Sequence, residues 1–147
     1  MNSVYFLNEN TGYAVGPWGT VFKTINGGAD WVSQSTGVES NLTSVFFLNS
    51  DVGYIAGRNY YGDGPILKTI NGGAEWIVQY NTFYDLQSIF FTSEETGYAV
   101  GNRQNWEGNN SIILKTIDGG TNWIATDSIS DFNLYTVFFA DAHTAYL

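Results

Sequence analysis

Apolar positions in this chain come in short runs broken by glycine, asparagine and aspartate, and none recurs with the ~3.6-residue period of a helix face. The runs themselves repeat. Ser3-Val4-Tyr5-Phe6 returns as Ser44-Val45-Phe46-Phe47, Ser88-Ile89-Phe90-Phe91 and Thr136-Val137-Phe138-Phe139, at intervals of 41, 44 and 48 residues. Each is followed by a second element. Thr11-Gly12-Tyr13-Ala14-Val15-Gly16 is matched by Val52-Gly53-Tyr54-Ile55-Ala56-Gly57, by Thr96-Gly97-Tyr98-Ala99-Val100-Gly101 and by Thr144-Ala145-Tyr146-Leu147. A third element reads Lys23-Thr24-Ile25-Asn26-Gly27-Gly28-Ala29-Asp30-Trp31. It recurs at Lys68-Thr69-Ile70-Asn71-Gly72-Gly73-Ala74-Glu75-Trp76 and at Lys115-Thr116-Ile117-Asp118-Gly119-Gly120-Thr121-Asn122-Trp123.

Self-similarity at a near-constant interval marks a repeat architecture. Each unit predicts four short strands, here named A to D. In the first copy they run from Ser3 to Leu7, from Tyr13 to Gly16, from Thr20 to Thr24 and from Trp31 to Gln34. Short turns join A to B and C to D as hairpins. Four antiparallel strands per unit is the pattern of a propeller blade; a parallel β-helix, the competing architecture, has shorter repeats. The expected class is all-β, a β-propeller of four-stranded antiparallel blades, with three blades plus half of a fourth. One partial propeller domain spans residues 1–147, with blade 1 at 3–43, blade 2 at 44–87, blade 3 at 88–135 and partial blade 4 at 136–147. Propellers close with about four to eight blades. The chain therefore reads as a fragment of a larger propeller, or as one that self-associates through open blade edges.

The composition supports a sheet protein. Aromatics make up 17% of the chain and glycines number 17 against 2 prolines, which suits half-buried pleated surfaces punctuated by turns. A net charge of -9 repels phosphate backbones and excludes nucleic acid as a natural partner. No cysteine is present, so no disulfide framework and no thiolate chemistry is available. No apolar stretch reaches the ~20 residues of a membrane span.

The third element resembles the Asp-box, or bacterial neuraminidase repeat, Ser/Thr-x-Asp-x-Gly-x-x-Trp. Its Thr, Gly and Trp positions are met by Thr24, Gly28 and Trp31, by Thr69, Gly73 and Trp76, and by Thr116, Gly120 and Trp123. Asp118 meets the Asp position, where Asn26 and Asn71 stand in the other copies. Asparagine also accepts backbone N–H bonds, so the turn survives the change. The resemblance implies a structural staple rather than a catalytic site. The whole blade text is similar to the photosystem II stability/assembly factor type of propeller, whose relatives are common as secreted or cell-surface proteins. That resemblance implies a non-catalytic, exported scaffold: extracellular, at the cell surface or periplasmic, its signal not present in this chain.

The connections between strands B and C differ most among the copies, and they carry the candidate binding residues Trp18, Arg58, Tyr60, Tyr61, Asp63, Arg103, Trp106 and Glu107. In a four-stranded meander these loops and the D–A crossings gather at one end, around the channel mouth. The crossings add Phe83, Tyr84, Asp85, Phe132 and Tyr135. Variable loops on a rigid scaffold commonly carry binding function, so the expected activity is protein binding through this face, with a glycan as the alternative ligand. No catalytic set is expected. The other alternative is a fragment of a sialidase-like glycoside hydrolase, which would need an arginine cluster or paired carboxylates supplied elsewhere in a longer parent. Only Arg58 and Arg103 exist, and Asp63 and Glu107 read as solvated loop acids. His143 is the one histidine and the acidic A–B turns lack calcium-loop spacing, so no metal or cofactor is expected. Lys23, Lys68 and Lys115 share one phase and read as solvated strand residues.

Overall fold

A computed structural model describes residues 1–59, 64–105, 108–130, 132–141 and 144–147. It contains three four-stranded antiparallel sheets and one two-stranded sheet, each in simple meander order. The first is β1 (Ser3–Phe6), β2 (Gly12–Val15), β3 (Val21–Thr24) and β4 (Val32–Gln34). The second is β5 (Asn41–Phe47), β6 (Gly53–Arg58), β7 (Gly64–Thr69) and β8 (Ile77–Thr82). The third is β9 (Asp85–Phe91), β10 (Gly97–Asn105), β11 (Gly108–Thr116) and β12 (Ile124–Ser130). Strands β13 (Phe138–Phe139) and β14 (Ala145–Tyr146) form the last pair. No helix among the described residues is long and apolar enough to cross a membrane.

First strands of successive sheets pack on one another, β1 on β5 and β5 on β9. The fourth strands carry exposed apolar residues such as Val32, Ile77 and Ile124. Each sheet is thus a blade with its first strand innermost. The repeated residues build the core between blades. Tyr13 stacks on Phe47 at 3.8 Å, Tyr54 stacks on Phe91 at 3.8 Å, and Tyr98 meets Phe139 at 4.5 Å. Within a blade the same phenylalanine meets, edge-on, the tryptophan just before the fourth strand: Phe47 with Trp76, and Phe91 with Trp123, both at 5.9 Å. A Tyr of one blade, then a Phe and a Trp of the next, is therefore the unit of inter-blade packing. Burying side chains of this size contributes about 1.5–3 kcal/mol each.

That unit explains the glycine before each Tyr. Gly53 pairs with Phe47 across the sheet, and the Phe47 ring folds over it. A β-carbon at Gly53 would sit 2.5 Å from that ring. Polar residues at repeated phase also cross between blades. Ser44 Oγ accepts from the Ile89 amide and Ser88 Oγ from the Val137 amide, each at 3.2 Å.

The C–D turns are uniform. Thr24 Oγ1 accepts from the Gly28 amide at 2.9 Å, and Asn26 Oδ1 accepts from the Asp30 amide at 2.9 Å. Thr69 and Asn71 do the same for Gly73 and Glu75, and Thr116 and Asp118 for Gly120 and Asn122. Both glycines of each turn have positive φ, 68° and 90° at Gly27 and Gly28, which favours glycine there. The first glycine amide then donates to the A–B turn of its own blade: Gly27 to Asn10, Gly72 to Asp51 and Gly119 to Glu95, all at 2.9 Å.

The strand-C lysines depart from the solvated role expected of them. Lys23 Nζ donates to the Gly72 carbonyl at 3.0 Å and Lys68 Nζ to the Gly119 carbonyl at 2.7 Å, each one blade onward. The same two carbonyls accept the hydroxyls of Tyr13 at 3.0 Å and Tyr54 at 2.8 Å. Each ammonium also lies over its own tyrosine ring, 5.3 and 5.4 Å from the centroid. A position that reads as surface charge is a clamp between blades.

Candidate functional site

With A–B and C–D turns at one end, the B–C loops and D–A crossings meet at the other. The first B–C loop is a tight turn. The Thr20 amide donates to the Pro17 carbonyl at 3.1 Å, and the next crossing braces the turn. The Gly19 amide donates to the Ser40 carbonyl at 2.8 Å, and the Thr36 hydroxyl to the Gly19 carbonyl at 2.9 Å. This bracing holds Trp18 at a φ of 59°, which is rare for a bulky residue. Its side chain remains 79% exposed. An indole held outward by its backbone is a preformed contact surface.

Three adjoining depressions run from Trp18 across the inner ends of the blades, and Arg58 lines all of them. The widest, about 660 Å³, lies between Trp18 and Arg58, with Asn2, Pro17, Glu39, Asn41 and Asn59 around it. The next, about 360 Å³, is walled by Asn41, Arg58, Asn59 and Asp85. The third, about 230 Å³, continues past Arg58 and Asp85 to Gln87, Asn102, Asn133 and Tyr135. Arg58 projects from the end of β6 and is exposed. Burial raises the Asp85 carboxyl above its ordinary range, and the positive charge of Arg58 acts in the opposite sense.

The amides along this groove differ in how much capacity they retain. Asn102 is committed to the wall. Its Oδ1 accepts from the Leu134 amide at 2.6 Å and from the Ser111 hydroxyl at 2.9 Å, and its Nδ2 donates to the Leu134 carbonyl at 2.7 Å. Asn2 Nδ2 donates to Asn41 Oδ1 at 2.6 Å and to the Leu42 carbonyl at 2.7 Å, joining two blades. Asn133 Oδ1, by contrast, is buried with no donor among the described residues. An acceptor in that state favours a ligand that brings an N–H or O–H.

Of the eight sequence-derived candidates, the structure brings Trp18 and Arg58 to one depression. Arg103 lies apart on β10, its guanidinium 6.0 Å from the centre of the Phe83 ring. Tyr60, Tyr61, Asp63, Trp106 and Glu107 lie outside the described residues, as does His143. Among the described residues no three His, Asp or Glu side chains gather where they could hold a metal ion. The sequence reading missed Asn41 and Asn133 as groove residues. The signal was present: Asn41, Asp85 and Asn133 each stand three residues before the Ser or Thr that opens the repeat. The leucine following each is buried and anchors it: Leu42, Leu86 and Leu134.

No family model and no curated protein matches the chain. Solved structures do. YCF48 bound to D1 peptide matches with a TM-score of 0.68 at 22% identity, over 84% of this chain and 38% of that one. YCF48 from Cyanidioschyzon merolae matches with a TM-score of 0.69 at 18% identity, over 87% of this chain and 40% of that one. An ancestral GH74 enzyme matches with a TM-score of 0.65 at 17% identity, over 94% of this chain and 20% of that one. The chain spans about two fifths of the length of the YCF48 structures. At such identities the likeness is one of fold, and with the blade order above it makes this chain a partial β-propeller of four-stranded antiparallel blades.

Proposed function

We propose that this chain is part of a non-catalytic propeller that binds a protein partner, taking an extended segment of it along the Arg58 groove. The observation that carries the reading is the chemistry of the groove in sequence. An outward indole at Trp18 can cover an apolar side chain. The Arg58 guanidinium can take a carboxylate or backbone carbonyl, and the unpartnered Asn133 Oδ1 can take a backbone N–H. A peptide offers those three groups in one extended strand. The YCF48 structure that holds a D1 peptide supports the same class of ligand, and so does the resemblance of the blade text to assembly-factor repeats. An exported setting belongs to this reading and is tested by fractionating source cells with an antibody to the chain.

The test is selection of peptides from a displayed library on the immobilised chain, followed by titration of the selected peptide. Trp and Arg are common interface hot spots, each costing about 2 kcal/mol or more when truncated. Trp18→Ala and Arg58→Ala should each weaken binding by ~10-fold or more. Undiminished binding by both variants would sink the reading.

A second reading, a carbohydrate ligand, is favoured by one observation. Trp18 is a flat, exposed indole beside Asn2, Asn41 and Glu39, which suits stacking on a sugar face with hydroxyl hydrogen bonds at its rim. A glycan array that leaves the chain unlabelled removes this alternative. A substrate panel on the chain tests for glycoside hydrolysis, for which the groove offers Glu39 and Asp85 in different depressions.

A further inference from the structure

Two of the C–D turns place an asparagine directly before a glycine: Asn26-Gly27 and Asn71-Gly72. Spontaneous deamidation is fastest in this dipeptide, because glycine leaves the attacking backbone nitrogen unhindered. The glycine nitrogen bonds to the asparagine Cγ. Its proton and the side-chain nitrogen leave together as ammonia. Water then opens the cyclic imide to aspartate or to isoaspartate. The local sequence is identical at the two sites, from Lys23 to Ala29 and from Lys68 to Ala74. Their intrinsic reactivity is therefore the same, and any difference between them in the folded chain is tertiary.

At Asn71 the fold withholds both reacting groups. The Gly72 amide donates to the Asp51 carbonyl at 2.9 Å. Asn71 Oδ1 is held elsewhere, accepting from the Glu75 amide and the Thr69 hydroxyl, each at 2.9 Å. The Gly72 carbonyl is clamped from blade 1 by the Tyr13 hydroxyl and Lys23 Nζ, both at 3.0 Å. Asn71 itself is exposed, so water has access to it, whereas Gly72 is buried. The side-chain nitrogens differ. Asn26 Nδ2 donates to Asp30 Oδ2 at 2.9 Å, while among the described residues Asn71 Nδ2 has no acceptor. Protection of Asn71 thus rests on the Asn71-Gly72 backbone, and part of that hold comes from another blade.

We infer that Asn71 is a deamidation site gated by the clamp between blades 1 and 2. While Tyr13 and Lys23 hold Gly72, its nitrogen stays away from the Asn71 side chain. When the blades part, the nitrogen is free to reach it. The two products have different consequences. Aspartate keeps the turn, because Asp118 makes the same bonds to Thr116 and Asn122 in the third blade. Isoaspartate adds a methylene to the main chain and carries the Gly72 carbonyl off Tyr13 and Lys23. Blade opening is thereby recorded and made permanent. The site lies at the end of the blades opposite the Arg58 groove and does not depend on a ligand there.

The test is isotope-resolved peptide mapping of the full chain aged in mildly alkaline buffer, with Asn26 as the internal reference. In concentrated urea the two asparagines should deamidate at equal rates. In the native chain Lys23→Met should raise the rate at Asn71 relative to Asn26 by ~10-fold, and Tyr13→Phe by about fivefold, because the turn opens more easily. Lys68→Met removes the equivalent clamp from Gly119, whose neighbour Asp118 has no amide to lose. It should leave the Asn71-to-Asn26 ratio unchanged. Urea unfolding confirms that each variant is folded, and Tyr13→Phe, which keeps its ring, carries the test if Lys23→Met is not. An unaltered ratio in the folded clamp variants, or an equal rise in Lys68→Met, overturns the proposal, because deamidation would then follow general unfolding. So does a native chain that deamidates at Asn71 as fast as the chain in urea.

Discussion

The hydroxyl of Tyr54 donates to the carbonyl oxygen of Gly119, 65 residues further along the chain, at 2.8 Å. Lys68 Nζ reaches the same oxygen at 2.7 Å. One carbonyl in the turn of the third blade thus holds two side chains of the second. Because the two donors share an acceptor, neither removal alone leaves the oxygen bare. Tyr54→Phe should cost about 1 kcal/mol and Lys68→Met about 1.5–3 kcal/mol, the larger figure reflecting the charged donor. The double variant should lose more than the sum, since only then is the buried carbonyl unsatisfied. Urea unfolding of all four proteins closes the cycle, and strict additivity would show that the carbonyl is not shared in solution.

The same tyrosine makes the fold sensitive to alkali. Burial, and secondarily the negative charge of Glu94, push its phenol up to about 12 from an ordinary value near 10. A group whose pKa rises on folding contributes stability that is complete below its unfolded pKa and is lost as pH climbs through the folded one. The loss should therefore fall between about pH 10 and pH 12. Tyr54→Phe starts less stable and should show a shallower decline across that window. Melting temperatures measured at stepped alkaline pH decide it: parallel curves for the two proteins would rule out Tyr54 as the titrating group.

Much of this was legible in the sequence, for a physical reason. Blade contacts repeat, so the residues making them recur in phase, and the Gly-Tyr and Gly-Gly-x-x-Trp phases mark the ring stack and the C–D turn directly. The lysines were misjudged because a cation on a strand of alternating character reads as solvent-facing. Only the packing of the next blade reveals that the lysine ammonium, lying over the tyrosine ring of its own blade, meets a carbonyl there. The groove was half legible. Trp18 and Arg58 stand out as odd residues in variable loops, whereas Asn41 and Asn133 hide inside the repeat. Their role follows from where the D–A crossings converge, a tertiary fact that no local pattern contains.

Position in the propeller should set the cost of losing a motif residue. Trp76 and Trp123 are each 6% exposed, because the preceding blade covers them, whereas Trp31 is only half-buried. Trp123→Ala should cost about 3–5 kcal/mol, and Trp31→Ala clearly less, although both occupy the same place in the repeat. Equal losses in chemical denaturation would indicate that Trp31 is covered in solution.

The turn chemistry can be exchanged between blades. In the first, Asn26 Nδ2 donates to Asp30 Oδ2 at 2.9 Å; in the third, Asn122 Nδ2 donates to Asp118 Oδ2 at 2.8 Å, with amide and carboxylate swapped. Hydrogen bonds from the backbone and side chain of Asn122 lead in holding the Asp118 carboxyl below the ordinary carboxylate range. A depressed pKa supplies stability above the unfolded value that is lost as pH falls through the folded one. Asp118→Asn should abolish that acid-side dependence and lower the melting temperature. Adding Asn122→Asp should restore the temperature by rebuilding the arrangement of the first blade. A double variant no more stable than the single one would show that the pair does not act as a unit.

Asp85 has the opposite sign. Burial lifts its carboxyl above the ordinary range, and the nearby Arg58 guanidinium offsets only part of that. Folding therefore favours the protonated form, and the ionised form present at neutral pH costs stability. Asp85→Asn should be at least as stable as the unaltered chain at neutral pH, and the two should converge as pH falls and Asp85 takes up its proton. Arg58→Ala should widen the neutral-pH gap, since it removes the charge that favours the carboxylate. A residue kept in a strained ionisation state at the wall of a groove is better explained by what it contacts than by what it stabilises. If Asp85→Asn also weakens the selected peptide while raising the melting temperature, the carboxylate serves binding at the expense of the fold. A variant that is less stable at neutral pH and binds normally would make Asp85 a structural residue and leave Arg58 and Trp18 to define the site.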